Sequence, residues 1–195
     1  MKVSFWRRLA AYIIDIVFVS LLVTIICSAL PEKKSLSKLE LNSLETQLIN
    51  GEIAPTEYID LYKDLLYENS KVNILEISIN LILIIGYFVV FQYMNKGQTL
   101  GKKLLKLRVV DKDSNQPITV LKGLFRTIIY LNIISAFVST ILINYLSKAT
   151  YISIYLTLIE IENALGLLCI TFIIFRKDGR GLHDLIVNTK VIEER

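Results

Sequence analysis

Long apolar runs constrain this chain more than any other feature of its sequence. An α-helix rises 1.5 Å per residue, so about 20 apolar residues are needed to cross a hydrocarbon core of about 30 Å. Runs of this length recur along the chain, and hydrophobic residues make up 53% of its 195 residues. We therefore predict an all-α integral membrane protein with a single membrane domain over residues 1–195. Its four predicted transmembrane helices cover residues 9–30, 72–94, 124–146 and 151–175.

The basic residues predict how these helices are oriented. Lysine and arginine are concentrated at both ends of the chain and in residues 96–122, whereas residues 32–71 carry more acidic than basic side chains. Because cytoplasmic loops are enriched in lysine and arginine, we expect both termini in the cytoplasm, which agrees with an even number of spans. The net charge of +4 lies beside the spans. This placement favours the lipid bilayer and its anionic headgroups as partners, and not nucleic acid.

The first apolar run also resembles a signal peptide, because basic residues precede it. A signal sequence has an apolar core of about 7–15 residues, and this run is longer. Asp15 also interrupts it. We therefore expect a retained transmembrane helix and no cleavage.

Residues 32–71 differ in character from the spans around them. They are polar, acidic on balance and patterned as two amphipathic helices on either side of a break at residues 51–55. The pattern predicts an extracytoplasmic helical hairpin. Its apolar faces pack on each other or lie on the membrane surface, or the hairpin forms a cap that binds a ligand or a partner.

Residues 97–111 form a basic stretch between the second and third spans. It is not a phosphate loop, because only three residues separate its glycines where that loop has four. We expect a short interfacial helix and then an extended segment, Leu107–Asp111, that pairs with residues 188–192 in a small cytoplasmic sheet, because both are rich in β-branched residues. The lysines expected to reach anionic headgroups are Lys102, Lys103 and Lys106.

Ionisable and amide side chains inside the spans mark candidate functional positions. A charge in the hydrocarbon costs about 2.5–3.5 kcal/mol and has to face a partner. Asp15 is the principal candidate, and it lies on nearly the same helix face as Arg8, about 10 Å deeper along the axis. The secondary candidates in the later spans are Glu76, Asn80, Arg126, Glu160 and Glu162. We expect each of the last two glutamates to be protonated or paired.

Three blocks of the sequence resemble the signature blocks of the RDD family of bacterial membrane proteins. The blocks are residues 8–15, residues 97–111 and residues 180–192. They stand in the family's order and spread over nearly the whole chain. The resemblance implies a multi-pass protein of the bacterial inner membrane, with Arg8, Asp15 and Asp184 as signature residues. It implies transport only loosely, and it does not extend to the acidic hairpin or to the two glutamates of the fourth span.

The signature residues predict one cluster at the cytoplasmic side. A guanidinium group can hold two carboxylates, so Arg8 would bind both Asp15 and Asp184. Such a cluster either fastens the tail to the helix bundle or lets Asp15 bind a proton or cation alternately. The only histidine, His183, is expected to be a satisfied interfacial residue, and the alternative is a proton shuttle.

Three classes of function remain open from the sequence. The first is a carrier of ions or small solutes, which at this length would act as a homo-oligomer. The second is a membrane scaffold or accessory subunit that binds a protein partner. An enzyme has little support, because no nucleophilic triad, metal-ligand spacing or nucleotide loop is visible, and we expect no cofactor.

Overall fold

Apolar helices form the body of the protein, whose computed structural model describes residues 3–30, 38–131 and 133–194. In chain order the elements are α1 (Phe5–Cys27), α2 (Lys38–Ile49), α3 (Pro55–Val72), α4 (Ile74–Ile85), a π-helical segment (Gly86–Phe91), α5 (Gln92–Met94), α6 (Leu100–Leu104), β1 (Leu107–Asp111), α7 (Val120–Leu131), α8 (Ile134–Leu142), α9 (Lys148–Phe175), α10 (Leu182–Ile186) and β2 (Thr189–Glu193). Helix α1, the unit Ile74–Met94 and α9 each have the length and hydropathy to cross a membrane. They correspond to the first, second and fourth predicted spans.

Helix α1 shows how its sequence selects a face. Its buried residues are Ala11, Asp15 and Val19, which recur every four residues, whereas Ile13 and Val17 on the other side are exposed. A spacing of four returns to the same side of an α-helix. Asp15 therefore lies on the side of α1 that faces the other helices, and the opposite side is left for lipid.

The third predicted span, residues 124–146, is wrong as a single helix. The chain forms α7 and α8 there, bent by 94° across a short break that includes residue 132, which lies outside the described residues. Glu162 of α9 compensates for the break, because its carboxylate accepts hydrogen bonds from the backbone N–H of Ser135 at 2.9 Å and from its hydroxyl at 2.6 Å. The first turn of α8 would otherwise leave these donors unpaired inside the bundle.

The bent pair still carries the chain from one end of the bundle to the other. Ile118, just before α7, packs with the strand residues Leu107 and Val191. Ile143, just after α8, packs with Tyr151 at the start of α9 and with residues of α3. We call these two ends the sheet end and the hairpin end. Counted as one span, the α7 and α8 pair brings the number of candidate spans to four.

The hairpin end is built from α2 and α3. Helix α3 begins at Pro55, which fits the first turn of a helix because its missing N–H would have no partner there. Helix α2 packs along α3, which in turn contacts α9. An ion pair between Asp64 of α3 and Lys148 of α9 joins them. The start of the predicted hairpin, residues 32–37, lies outside the described residues.

The sheet end contains an antiparallel pair of strands. Leu107 of β1 faces Glu193 of β2, and Asp111 faces Thr189, so the partner of β1 begins one residue later than expected. The sheet lies against the start of α1, where Val3, just before the helix, and Ala11 within it complete the apolar core. Residues from the two ends of the chain therefore meet at this end of the bundle.

Candidate functional site

Asp15 is the centre of the first buried site. Its Oδ1 accepts hydrogen bonds from the Tyr87 hydroxyl at 2.6 Å and from the Gly101 backbone N–H at 2.7 Å. Its Oδ2 accepts one from the Thr99 hydroxyl at 2.5 Å and lies 3.8 Å from the Lys102 ammonium nitrogen. The Asp15 side chain is 0% exposed. Three hydrogen-bond donors and the ammonium group of a lysine thus surround this carboxyl group at a depth where an isolated charge would be costly.

Two local features bring these donors to Asp15. The π-helical segment Gly86–Phe91 interrupts the second span beside Tyr87. A π-helical turn has one more residue than an α-helical turn and changes the direction of the side chains on it. Gly101 lets α6 touch α1, because a Cβ at this position would lie 2.2 Å from the backbone oxygen of Ala11.

Lys102 is the only cation that reaches Asp15 among the ion pairs of the described residues. Its Nζ also donates to the Thr99 hydroxyl at 3.1 Å. Burial lowers the pKa of Lys102 to about 8, and the charge of Arg126 adds to this effect, while Asp15 opposes it. The lysine therefore changes its protonation state close to physiological pH. The predicted contact of Lys102 with headgroups is wrong, because the residue is buried; Lys103 and Lys106 are exposed.

Asp184 is the centre of the second buried site. Its Oδ1 accepts hydrogen bonds from Arg126 Nε and from the Thr189 hydroxyl, both at 2.9 Å. Its Oδ2 lies 3.4 Å from Arg8 Nη1 and 3.4 Å from His183 Nε2. Burial raises the pKa of Asp184, but the positive charges around it, Arg126 first, hold the pKa well below its usual range. The site joins α1, α7, α10 and β2.

The predicted single cluster is therefore two sites. Arg8 pairs with Asp184 and not with Asp15, because the axial offset of about 10 Å between Arg8 and Asp15 exceeds the reach of one ion pair. Arg126, a secondary candidate, is the principal partner of Asp184. Lys102 and Thr99 were not predicted as partners of Asp15, although both lie in the basic stretch at residues 97–111.

His183 is buried as expected for a satisfied residue. Its Nδ1 lies 3.4 Å from Cys169 Sγ, and its ring packs against Tyr130 with the ring centres 4.8 Å apart. Burial lowers the pKa of His183, with the Asp184 carboxylate opposing that effect. The imidazole is therefore neutral at physiological pH.

Glu76 and Asn80 lie in neither buried site. They line a groove of about 740 Å³ between α1 and α4 toward the hairpin end, together with Ser20, Thr24 and Asn73. The groove stops short of Asp15. Val19 and Ile84 lie between the groove and Asp15 along the two helices, and both belong to one apolar cluster with Tyr87.

The two glutamates of the fourth span have different surroundings. Glu162 is 4% exposed and is hydrogen-bonded to the start of α8. Glu160 is exposed and lines a second groove, of about 640 Å³, between α3 and α9. Only Glu162 satisfies the expectation of a paired carboxylate. The described residues contain no group of three or more His, Cys, Asp or Glu side chains that could hold a metal ion.

Fold and site together define a multi-pass helical membrane protein whose sheet end is closed by two buried ion-pair sites. The model of the RDD family matches residues 2–188, and the chain belongs to that family. The resemblance seen in the three sequence blocks is therefore confirmed. Neither a curated protein nor a solved structure matches the chain.

Proposed function

We propose that the protein is a carrier that exchanges protons for small cations or cationic solutes across the bacterial inner membrane. The observation that carries the proposal is the buried pair of Asp15 and Lys102, with 3.8 Å between the charged atoms. A site that exchanges protons requires a group that loses its proton near physiological pH, and Lys102 does so near pH 8. An ion pair that only stabilises the fold has no such requirement.

The pair supports exchange because one site serves two competing cations. When Lys102 is protonated, its ammonium group compensates Asp15. When Lys102 loses its proton, Asp15 keeps only the neutral donors of Tyr87, Thr99 and Gly101. A cation that arrives then takes the place of the ammonium charge. Proton and cation thus exclude each other, which is the condition for coupled exchange.

Access from the hairpin end would follow the groove that contains Glu76 and Asn80. Its polar lining suits a hydrated cation, and Glu76 supplies a negative charge at its start. The apolar cluster around Val19 and Ile84 closes the way to Asp15. Transport therefore requires this cluster to open, and the adjacent π-helical segment is a natural point for the second span to bend.

The charges favour an orientation with the sheet end in the cytoplasm. Lys103, Lys106 and the first and last described residues, Val3 and Glu194, lie at or near that end, and cytoplasmic loops carry the excess of lysine and arginine. The exposed lysines would contact anionic headgroups there, and the hairpin would lie outside. A chain with four spans would work as a homo-oligomer, because most carriers are built from more helices.

The test is flux into liposomes that contain the purified protein. A cation gradient should drive proton movement, followed with a dye in the lumen that reports pH, and a panel of monovalent and divalent cations identifies the substrate. Asp15→Asn should abolish the flux. Asp178→Asn removes an exposed carboxylate paired with Arg176 and Arg180 and should leave the flux unchanged.

An accessory subunit is the second candidate. The hairpin favours it, because Ile49 is 83% exposed and Ile59 48% exposed in a segment rich in polar residues. Failure of every cation to move protons in liposomes, with the protein folded, would reject the carrier. In that case the two buried sites would be better explained as structural ion pairs in an accessory subunit.

A further inference from the structure

A small cavity lies between the Asp15 site and the Asp184 site. Its volume is about 30 Å³. Its polar walls come from α1, α6, α7 and α10, and its apolar walls include Ile173 of α9 and Val191 of β2. The polar residues that line it are Arg8, Tyr12, Lys102, Arg126, Tyr130 and His183.

The charges around this cavity do not balance. Arg8, Lys102 and Arg126 line it, whereas Asp15 and Asp184 compensate these cations from outside its wall. His183 adds no charge, since burial lowers its pKa. Three cations and two carboxylates leave one positive charge in excess. A buried charge without compensation is unfavourable, so the cavity attracts an anion.

Arg8, which lines this cavity, also has a hydrogen-bond donor that is unpaired among the described residues. Its side chain is 10% exposed, and its Nε is buried and has no hydrogen-bond partner among the described residues. Its Nη1 donates to Asp184 at 3.4 Å, which is a long hydrogen bond. A guanidinium group carries five N–H donors, and a buried donor without an acceptor is rare in folded proteins. An acceptor bound in the cavity beside Arg8 would provide the missing hydrogen-bond partner of Nε.

The size of the cavity selects the ligand. A cavity needs roughly 10–15 Å³ to hold one water molecule, so about 30 Å³ accommodates a single water or a halide ion and excludes phosphate, sulfate and carboxylates. A water molecule would accept a hydrogen bond from Arg8 Nε, but it would not compensate the excess positive charge. We propose that this cavity binds one monatomic anion, such as chloride, between Arg8, Arg126 and Lys102. The anion would link α1, α6 and α7, and the site does not depend on the proposed exchange.

The first test uses the full chain in a neutral detergent at constant ionic strength and pH 7. Unfolding is followed by fluorescence of Trp6, the only tryptophan in the sequence. Replacing gluconate with chloride or bromide should raise the Tm, by about 3–6 °C when the halide reaches roughly ten times its Kd. Sulfate, which does not fit, should have no such effect. An equal response to all these anions would overturn the proposal.

Variants separate the site from general salt effects. Arg8→Gln should lose the halide response, whereas Arg7→Gln removes the same charge one residue away, outside the cavity, and should keep it. Val191→Ile keeps every charge and fills the cavity with one methyl group, so it should also lose the response. A halide response that persists in Val191→Ile would overturn the proposal even if Arg8→Gln fails to fold.

Crystals grown in bromide supply the direct measurement. We expect one anomalous peak within hydrogen-bond distance of Arg8 Nε. Water density without an anomalous peak at that position would refute the anion site.

Discussion

Gly101→Ala tests the contact that brings α6 to Asp15. The added Cβ would lie 2.2 Å from Ala11 O and 2.9 Å from Asp15 Oδ1, so α6 has to withdraw until these distances exceed 3.0 Å. That movement lengthens the 2.7 Å bond from the Gly101 N–H to Asp15 beyond the range of a hydrogen bond. A hydrogen bond to a charged group contributes about 1.5–3 kcal/mol to the free energy of unfolding. The withdrawal of α6 also weakens the contacts of Thr99 and Lys102 with Asp15, so the expected loss of stability is about 3–5 kcal/mol.

Thermal unfolding of the purified protein measures this loss. For a chain of this size a loss of 1 kcal/mol lowers the Tm by about 2–4 °C, so we expect Gly101→Ala to unfold about 6–20 °C earlier than the unsubstituted protein. Gly86→Ala is the matched control, because a Cβ there meets nothing within 4 Å. A Tm for Gly101→Ala that equals that of Gly86→Ala would refute the close approach of α6 to α1.

Two further predictions concern the other buried carboxylates. Glu162→Ala should lower the Tm by about 5 °C or more, because two donors of Ser135 lose their acceptor, whereas Glu160→Ala, two residues earlier and exposed, should change it by less than about 2 °C. Equal effects would refute the capping of α8. Because the folded pKa of Asp184 lies below its ordinary value, the stability that it contributes is present above about pH 4 and is lost as the pH falls further. The Tm of the unsubstituted protein should therefore fall more steeply between pH 5 and about pH 3 than that of Asp184→Asn, and parallel curves would contradict this.

The sequence was sufficient for the overall class of fold. Its apolar runs predicted three of the spans to within about four residues at each end, because hydrocarbon thickness and helix rise fix their length. The break between α7 and α8 was not predictable from hydropathy, since apolar residues continue through it. Glu162 was the available signal, because a carboxylate at that depth requires donors and a helix start provides them.

The two buried sites were predictable only in part. The burial of Asp15 and Asp184 followed from the cost of a charge near hydrocarbon and from the family blocks. Their partners did not, because Asp15 meets Thr99 and Lys102 through a turn whose path no local pattern reveals. Pairing between residues more than 80 positions apart depends on the packing of α6 against α1, which the spacing of Arg8 and Asp15 does not determine.

Proton release on cation binding tests the central claim, exchange at the Asp15 and Lys102 pair, most directly. The purified protein is placed in weakly buffered detergent solution, and the pH is recorded as each cation is added as its chloride salt, with choline chloride as the control. We expect proton release at about pH 7.5 that disappears above about pH 9, where Lys102 is already neutral. We expect no release from Lys102→Arg, because the guanidinium group keeps its proton. Equal proton release from Lys102→Arg and the unsubstituted protein, or none from the unsubstituted protein with any cation, would contradict exchange at this pair.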